Sequence, residues 1–86
     1  MNKKEIFKFI KLKLKEMRVI KRENNKFIGR LNIAKNSKMD SLKLINFLVK
    51  IENKYKVKIS TAELSIKKNQ TVNKIIQIIH KKIKRK

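Results

Sequence analysis

The amino-acid sequence predicts an all-α fold, a bundle of four helices with a long loop between the first two helices and a short third helix. Apolar residues recur at helical spacing in three separate segments. Residues that commonly cap helices stand before the second, third and fourth helices. No internal repeat, linker or low-complexity stretch divides the 86 residues. We therefore expect one domain, residues 1–86, with one modest core.

The first helix is predicted over about residues 3–17, where the apolar positions follow a helical period and lysines occupy the other faces. No period persists over residues 18–39. Asn24, Asn25 and Gly29 interrupt this segment, and we interpret it as a long ordered loop whose apolar residues lie across the core. Loops of this length are uncommon in compact domains, and they are usually functional or carry short helical turns.

The second helix is predicted over about residues 41–55, and its faces differ in chemistry. Asp40 or Ser41 can cap the free amides of its first turn. We expect a buried stripe formed by Leu44, Leu48, Ile51 and Tyr55. We expect a polar stripe formed by Lys43, Asn46, Lys50, Asn53 and Lys54. An apolar flank at positions i, i+3 and i+7 remains, formed by Leu42, Ile45 and Val49.

The short third helix follows an extended link. Val57 and Ile59 alternate with lysines, which indicates an extended segment. Ser60 and Glu63 then have the spacing of a reciprocal capping box, which predicts a helix over about residues 61–65.

The fourth helix is predicted over about residues 72–84. Thr71 can cap it, and its apolar residues keep helical spacing as far as the basic tail at residues 81–86. Lysines near a helix C-terminus interact favourably with the helix dipole.

The composition is strongly basic. The chain has 26 Lys and Arg against 6 Asp and Glu, a net charge of +20, so the folded protein repels itself. Heavy use of Lys, Ile and Asn leaves codon bias open as the source of part of this charge. There is no cysteine, which excludes disulfides, thiolate metal sites and a cysteine nucleophile. No stretch approaches the roughly 20 apolar residues of a membrane span. We expect a cytoplasmic protein.

The tripeptide Asp40-Ser41-Leu42 opens the second helix, and Asp40 is the only aspartate in the chain. Alone it is a weak signal, because ordinary helix capping also favours Asp-Ser before an apolar helix. Its surroundings add specificity: a short leading helix, a long loop, a helix with an aromatic end, an extended link, and the pair Thr71-Val72 at the start of the last helix. Over most of its length the chain resembles the acyl and peptidyl carrier proteins.

The resemblance implies that a phosphopantetheinyl transferase moves 4′-phosphopantetheine from coenzyme A onto the Ser41 hydroxyl. The thiol of that arm would hold acyl or aminoacyl groups as thioesters for partner enzymes in fatty acid, polyketide or related biosynthesis. A helix N-terminus suits the phosphate. Asp40 would help to position the transferase and its metal, and Leu42 would pack at the partner surface. The chain would be a carrier and a substrate of other enzymes, not an enzyme, with no metal site of its own.

The resemblance also implies a partner-binding surface along the second helix. Its residues would be Leu42, Lys43, Ile45, Asn46, Val49 and Lys50. Ile45 and Val49 have an alternative role, because they can complete a wide core face. Both roles are open for Ile45, whereas the core position is favoured for Val49.

The chain departs from the family pattern in three ways. Lys38-Met39 replaces the glycine common just before the Asp-Ser pair, and glycine is the residue that tolerates positive φ. The spacer before the motif, residues 32–39, is long. The second helix of typical carriers is acidic and docks on basic partners, whereas here Lys43 and Lys50 occupy that face. We therefore expect the transferase and the acyl-loading and acyl-processing enzymes to present acidic or neutral docking surfaces.

The chief alternative is a small basic helical protein that binds nucleic acid or another polyanion, since a charge of this size neutralises phosphates without sequence specificity. Against it, the lysines are spread over all segments, and several of the few aromatic residues are needed for the core. Contact with an anionic membrane through the first helix and the tail at residues 81–86 can coexist with carrier function. His80 is expected to be a surface residue, and the chain a monomer.

Overall fold

A computed structural model describes residues 2–33, 36, 38–59 and 71–85, and of Ser41 it describes the backbone only. These residues form four helices, and no strand lies within these ranges. The helices are α1 (Lys3–Glu16), α2 (Asn25–Arg30), α3 (Ser41–Tyr55) and α4 (Val72–Lys84). One isolated antiparallel bridge pairs Asn32 with Thr71. The all-α fold class is confirmed.

One of these helices lies inside the segment that the sequence predicted as a loop. The six residues of α2 fall within residues 18–39, and for them the loop prediction is wrong. Asn24, which we interpreted as an interruption, is the N-cap, because its side-chain oxygen accepts from the Phe27 N–H at 2.8 Å. An asparagine side chain competes for backbone amides, so it starts a helix as readily as it interrupts one. The short helix predicted over about residues 61–65 lies outside the described residues.

Side-chain caps also fix the starts of α1 and α4. Asn2 accepts from the Glu5 N–H at 3.0 Å, and Thr71 accepts from the Lys74 N–H at 3.2 Å. α1 ends at Glu16, one residue before its predicted end, whereas α3 and α4 have the spans that the sequence predicted. Across the described ranges, none of the helices has both the length and the apolar content needed to cross a membrane.

The core is apolar and takes residues from all four helices. Its fully buried side chains include Ile6, Ile10 and Leu14 of α1, Ile28 of α2, Phe47 and Ile51 of α3, and Ile75 and Ile79 of α4. The connecting segments add Val19, Ile20, Ile33, Val57 and Ile59. The predicted buried stripe of α3 contained Leu44 but not Phe47. In the structure Phe47 is fully buried, whereas Leu44 is only half-buried. The buried side of α3 therefore faces away from Leu42, Ile45 and Val49.

α2 packs closely against the start of α4. A Cβ at Gly29 would lie 2.7 Å from the Asn73 side-chain oxygen, so the missing side chain at Gly29 makes room for the Asn73 amide. The Val72 N–H donates to the Leu31 carbonyl at 3.0 Å. Gly29 is therefore a packing residue of α2, not a loop residue.

Candidate functional site

The start of α3 is held by Asp40. Its backbone is extended (φ −96°, ψ −179°), and its side chain accepts from the Lys43 N–H at 2.8 Å. Its carbonyl accepts from the Leu44 N–H at 2.9 Å. These two bonds place Ser41 at the first position of the helix. The amides and dipole of a helix N-terminus favour a negatively charged group at this position.

The turn before α3 is built on Asn36. The Asn36 side chain accepts from the Lys38 N–H at 2.8 Å, and its carbonyl accepts from the Met39 N–H at 3.0 Å. The Lys43 ammonium reaches back to the Lys38 carbonyl at 3.2 Å. Neither Lys38 nor Met39 has a positive φ, so the chain enters the helix without the glycine that the family pattern carries at this point.

An apolar row on α3 is exposed. Leu42 is 74% exposed, Ile45 49% and Val49 44%. They are three of the five large exposed apolar residues in the described part of the chain. At 100° per residue the i, i+3, i+7 spacing puts all three on one side of the helix. The core position favoured for Val49 is wrong, because Phe47 fills the interior in its place.

A polar row borders the apolar one. Asn46 and Lys50 are exposed, while Lys43 is half-buried because its ammonium folds toward the Lys38 carbonyl. With the apolar row they form one surface, which we call the α3 face: Leu42, Lys43, Ile45, Asn46, Val49 and Lys50. The structure thus brings the predicted partner-binding residues together on one side of one helix, with Asp40 and Ser41 at its N-terminal end.

The one acidic residue of α3 points elsewhere. The Glu52 carboxylate accepts from the Ile59 N–H at 2.9 Å in a partly buried position. Lys56, in the left-handed region at φ 57°, reverses the chain after α3 and brings Ile59 back to Glu52. No periodic signal in the sequence marks this bond. As a result, the α3 face has two lysines and no carboxylate.

The described residues hold no group of metal-ligating side chains. The lone histidine, His80, is half-buried on α4. Desolvation, followed by the charges of Lys84 and Lys3, lowers its pKa below the ordinary value. Both lysines lie on α1 and α4, and neither belongs to α3.

Comparison with known families gives a match over the α3 region. The family model described as the phosphopantetheine attachment site matches residues 32–79, more than half of the chain. The matched stretch contains the Asn36 turn, Asp40, all of α3 and the first part of α4. No curated protein and no solved structure match the chain.

Proposed function

We propose, because this chain belongs to the phosphopantetheine attachment-site family, that it is an acyl carrier protein whose Ser41 bears the prosthetic arm. The covalent cofactor of the family is 4′-phosphopantetheine, whose terminal thiol holds acyl or aminoacyl cargo as a thioester. One observation carries the assignment to Ser41. Ser41 is the first residue of α3, lies inside the matched stretch, and stands between the exposed residues Asp40 and Leu42.

The residues around Ser41 fit a phosphodiester. The helix dipole favours negative charge at this end of α3, and Lys43 adds a cation in the same turn. Asp40 holds the Lys43 amide, so it fixes the first turn and presents Ser41 to a transferase. This environment stabilises a phosphate once it is attached. The one histidine lies on α4, and the Asp40 carboxylate accepts from the Lys43 amide, in keeping with a family whose domains are generally non-catalytic.

The assignment is tested by intact-mass measurement after incubation with coenzyme A and a broad-specificity transferase. The native chain should gain the mass of one phosphopantetheine, and Ser41→Ala should gain none. Ser37→Ala is the matched control, because Ser37 is a second serine in the matched stretch just before the motif. It should load as the native chain does. Loading of Ser41→Ala, or loss of loading in Ser37→Ala, would overturn the assignment.

Partner enzymes would dock on the α3 face. The exposed row Leu42, Ile45 and Val49 offers apolar contact, and Lys43 and Lys50 give it a positive border. Basic partner surfaces are repelled by this border, whereas acidic or neutral ones are not. We therefore assign to this carrier a transferase and acyl-processing enzymes with acidic or neutral docking patches, in fatty acid, polyketide or related biosynthesis.

Charge reversal on the α3 face tests this assignment. The double variant Lys43→Glu, Lys50→Glu should be loaded more slowly by the native partners. The control Lys58→Glu, Lys74→Glu reverses two exposed lysines outside α3 and should leave the rate nearly unchanged. Faster loading of the α3 variant by the native partners would contradict the assignment of acidic or neutral partners. It would leave the identity of the arm-bearing serine unaffected.

A further inference from the structure

A basic groove lies between α1, α2 and α4, and none of the described residues that line it belongs to α3. Its main hollow, of about 590 Å³, is lined by residues that include Lys4, Phe7, Lys8, Lys26 and Arg30. We call this hollow and its two neighbours the basic groove.

The neighbouring hollows extend the groove in both directions. One shares Lys26 and Arg30 with the main hollow and adds Phe27, and the other shares Lys4 and Phe7. Taken together, the described residues that line the three hollows include five cations and several side-chain amides, and none of these residues is acidic. Through these shared residues, the three hollows form neighbouring parts of one positively charged surface.

The groove is also lined by two aromatic rings, one of which is exposed. Of the five aromatic residues, Phe47 is fully buried, and Phe9 packs edge-on against Tyr55 with ring centroids 5.6 Å apart. The remaining two, Phe7 and Phe27, both line the groove. Phe7 is partly buried against the core, so Phe27 is the ring that the groove exposes. Phe27 is 51% exposed, although burial of a phenylalanine is favourable. A ring in this setting is available to stack with a ligand.

We infer that the basic groove binds single-stranded nucleic acid. Lys4, Lys8, Lys26 and Arg30 would neutralise phosphates, and the face of Phe27 would stack on a base. Non-sequence-specific single-strand binders combine these two features, a cationic groove and exposed aromatic rings. The inference goes beyond the carrier function and does not depend on Ser41.

Other anionic partners use fewer of these features. Carboxylates of an acidic peptide would satisfy the cations but leave the face of Phe27 without a flat partner. An anionic membrane is flat, whereas the cations here line a concave track between three helices. A base-bearing phosphate chain uses the charge, the concavity and the aromatic ring together.

The first test is fluorescence anisotropy of a labelled oligo(dT) of about 12 nucleotides, a length within the usual site sizes, with the full chain. Phe27→Leu keeps an apolar side chain of similar bulk but removes the ring face. It should weaken binding on the order of tenfold. Circular dichroism of the variant checks that the fold is retained. Unchanged affinity of folded Phe27→Leu would overturn the inference.

The second test separates the groove from net charge. Lys26→Gln, Arg30→Gln removes two charges inside the groove, and Lys15→Gln, Lys58→Gln removes two exposed charges outside it. Only the groove pair should weaken binding several-fold and reduce the slope of log K against log salt, by about 0.7 per lost phosphate contact. Equal effects of the two pairs would mean non-specific polyanion binding.

Competing ligands complete the test. Poly-glutamate and vesicles containing phosphatidylglycerol should compete weakly with the oligonucleotide. If either of them binds through Lys26 and Arg30 while the oligonucleotide does not, the inference fails in favour of a protein or membrane partner.

Discussion

Replacement of Lys56 by glycine should stabilise the fold. Lys56 ends α3 in the left-handed region, at φ 57° and ψ 42°. A non-glycine residue in this conformation costs about 1–2 kcal/mol, and glycine avoids the cost. The greater freedom of glycine in the unfolded chain offsets about 0.5–1 kcal/mol of the gain. The net stabilisation should be about 0.5–1 kcal/mol, or roughly 2–8 °C in Tm for a domain of this size.

Urea unfolding measures this change, with Lys58→Gly as the matched control. Lys58 is an exposed lysine outside the left-handed region, so its replacement removes the same charge without relieving strain. Lys56→Gly should raise the urea midpoint with an unchanged m-value, and Lys58→Gly should lower it. A Lys56→Gly variant no more stable than Lys58→Gly would refute the reasoning, because of these two lysines only Lys56 has a positive φ.

Four further perturbations follow from the structure. Glu52→Ala removes the acceptor of the Ile59 N–H and should cost about 1–3 kcal/mol in urea unfolding; an unchanged midpoint would show that the bond contributes nothing. The lowered pKa of His80 means that the fold favours the neutral imidazole, so stability should fall as the pH drops through the unfolded-state pKa of about 6.5. His80→Gln should flatten that part of the stability profile, and a profile that keeps its slope would contradict the assignment. Gly29→Ala brings a methyl group against the Asn73 side chain, so it should be more stabilising in an Asn73→Ala background than in the native chain. If the changes in the free energy of unfolding for the two substitutions simply add, this contact is excluded. Finally, a net charge of +20 predicts a urea midpoint that rises with sodium chloride, and a flat salt dependence would argue against self-repulsion.

The sequence predicted α3 and α4 well because two signals coincided in each of these helices. α3 and α4 each combine a sustained apolar period with a capping side chain, Asp40 or Thr71, so both their presence and their starts could be predicted. α2 has six residues, too few to establish a period, and its cap Asn24 is a residue type equally common in loops. Helices of this length are stabilised by tertiary packing, which a local pattern does not contain.

Of the candidate site, the sequence could predict which residues share a face of α3 but not how deeply they are buried. The i, i+3, i+7 spacing correctly grouped Leu42, Ile45 and Val49, but periodicity alone could not say whether the group was buried. The role of Glu52 could not be predicted, because its bond depends on a chain reversal at Lys56 that no residue type signals. The packing role of Gly29 depends in the same way on the position of another helix.

The Asn36 turn has a consequence for how far cargo can travel. Its two bonds, with the bond from Lys43 to the Lys38 carbonyl, tie the backbone down on both sides of the attachment point. An arm on Ser41 would therefore swing from a fixed pivot. The reach of the thiol would be set by rotations within the arm itself. A partner enzyme would therefore have to bind the start of α3 and place its active site within one arm length of Ser41.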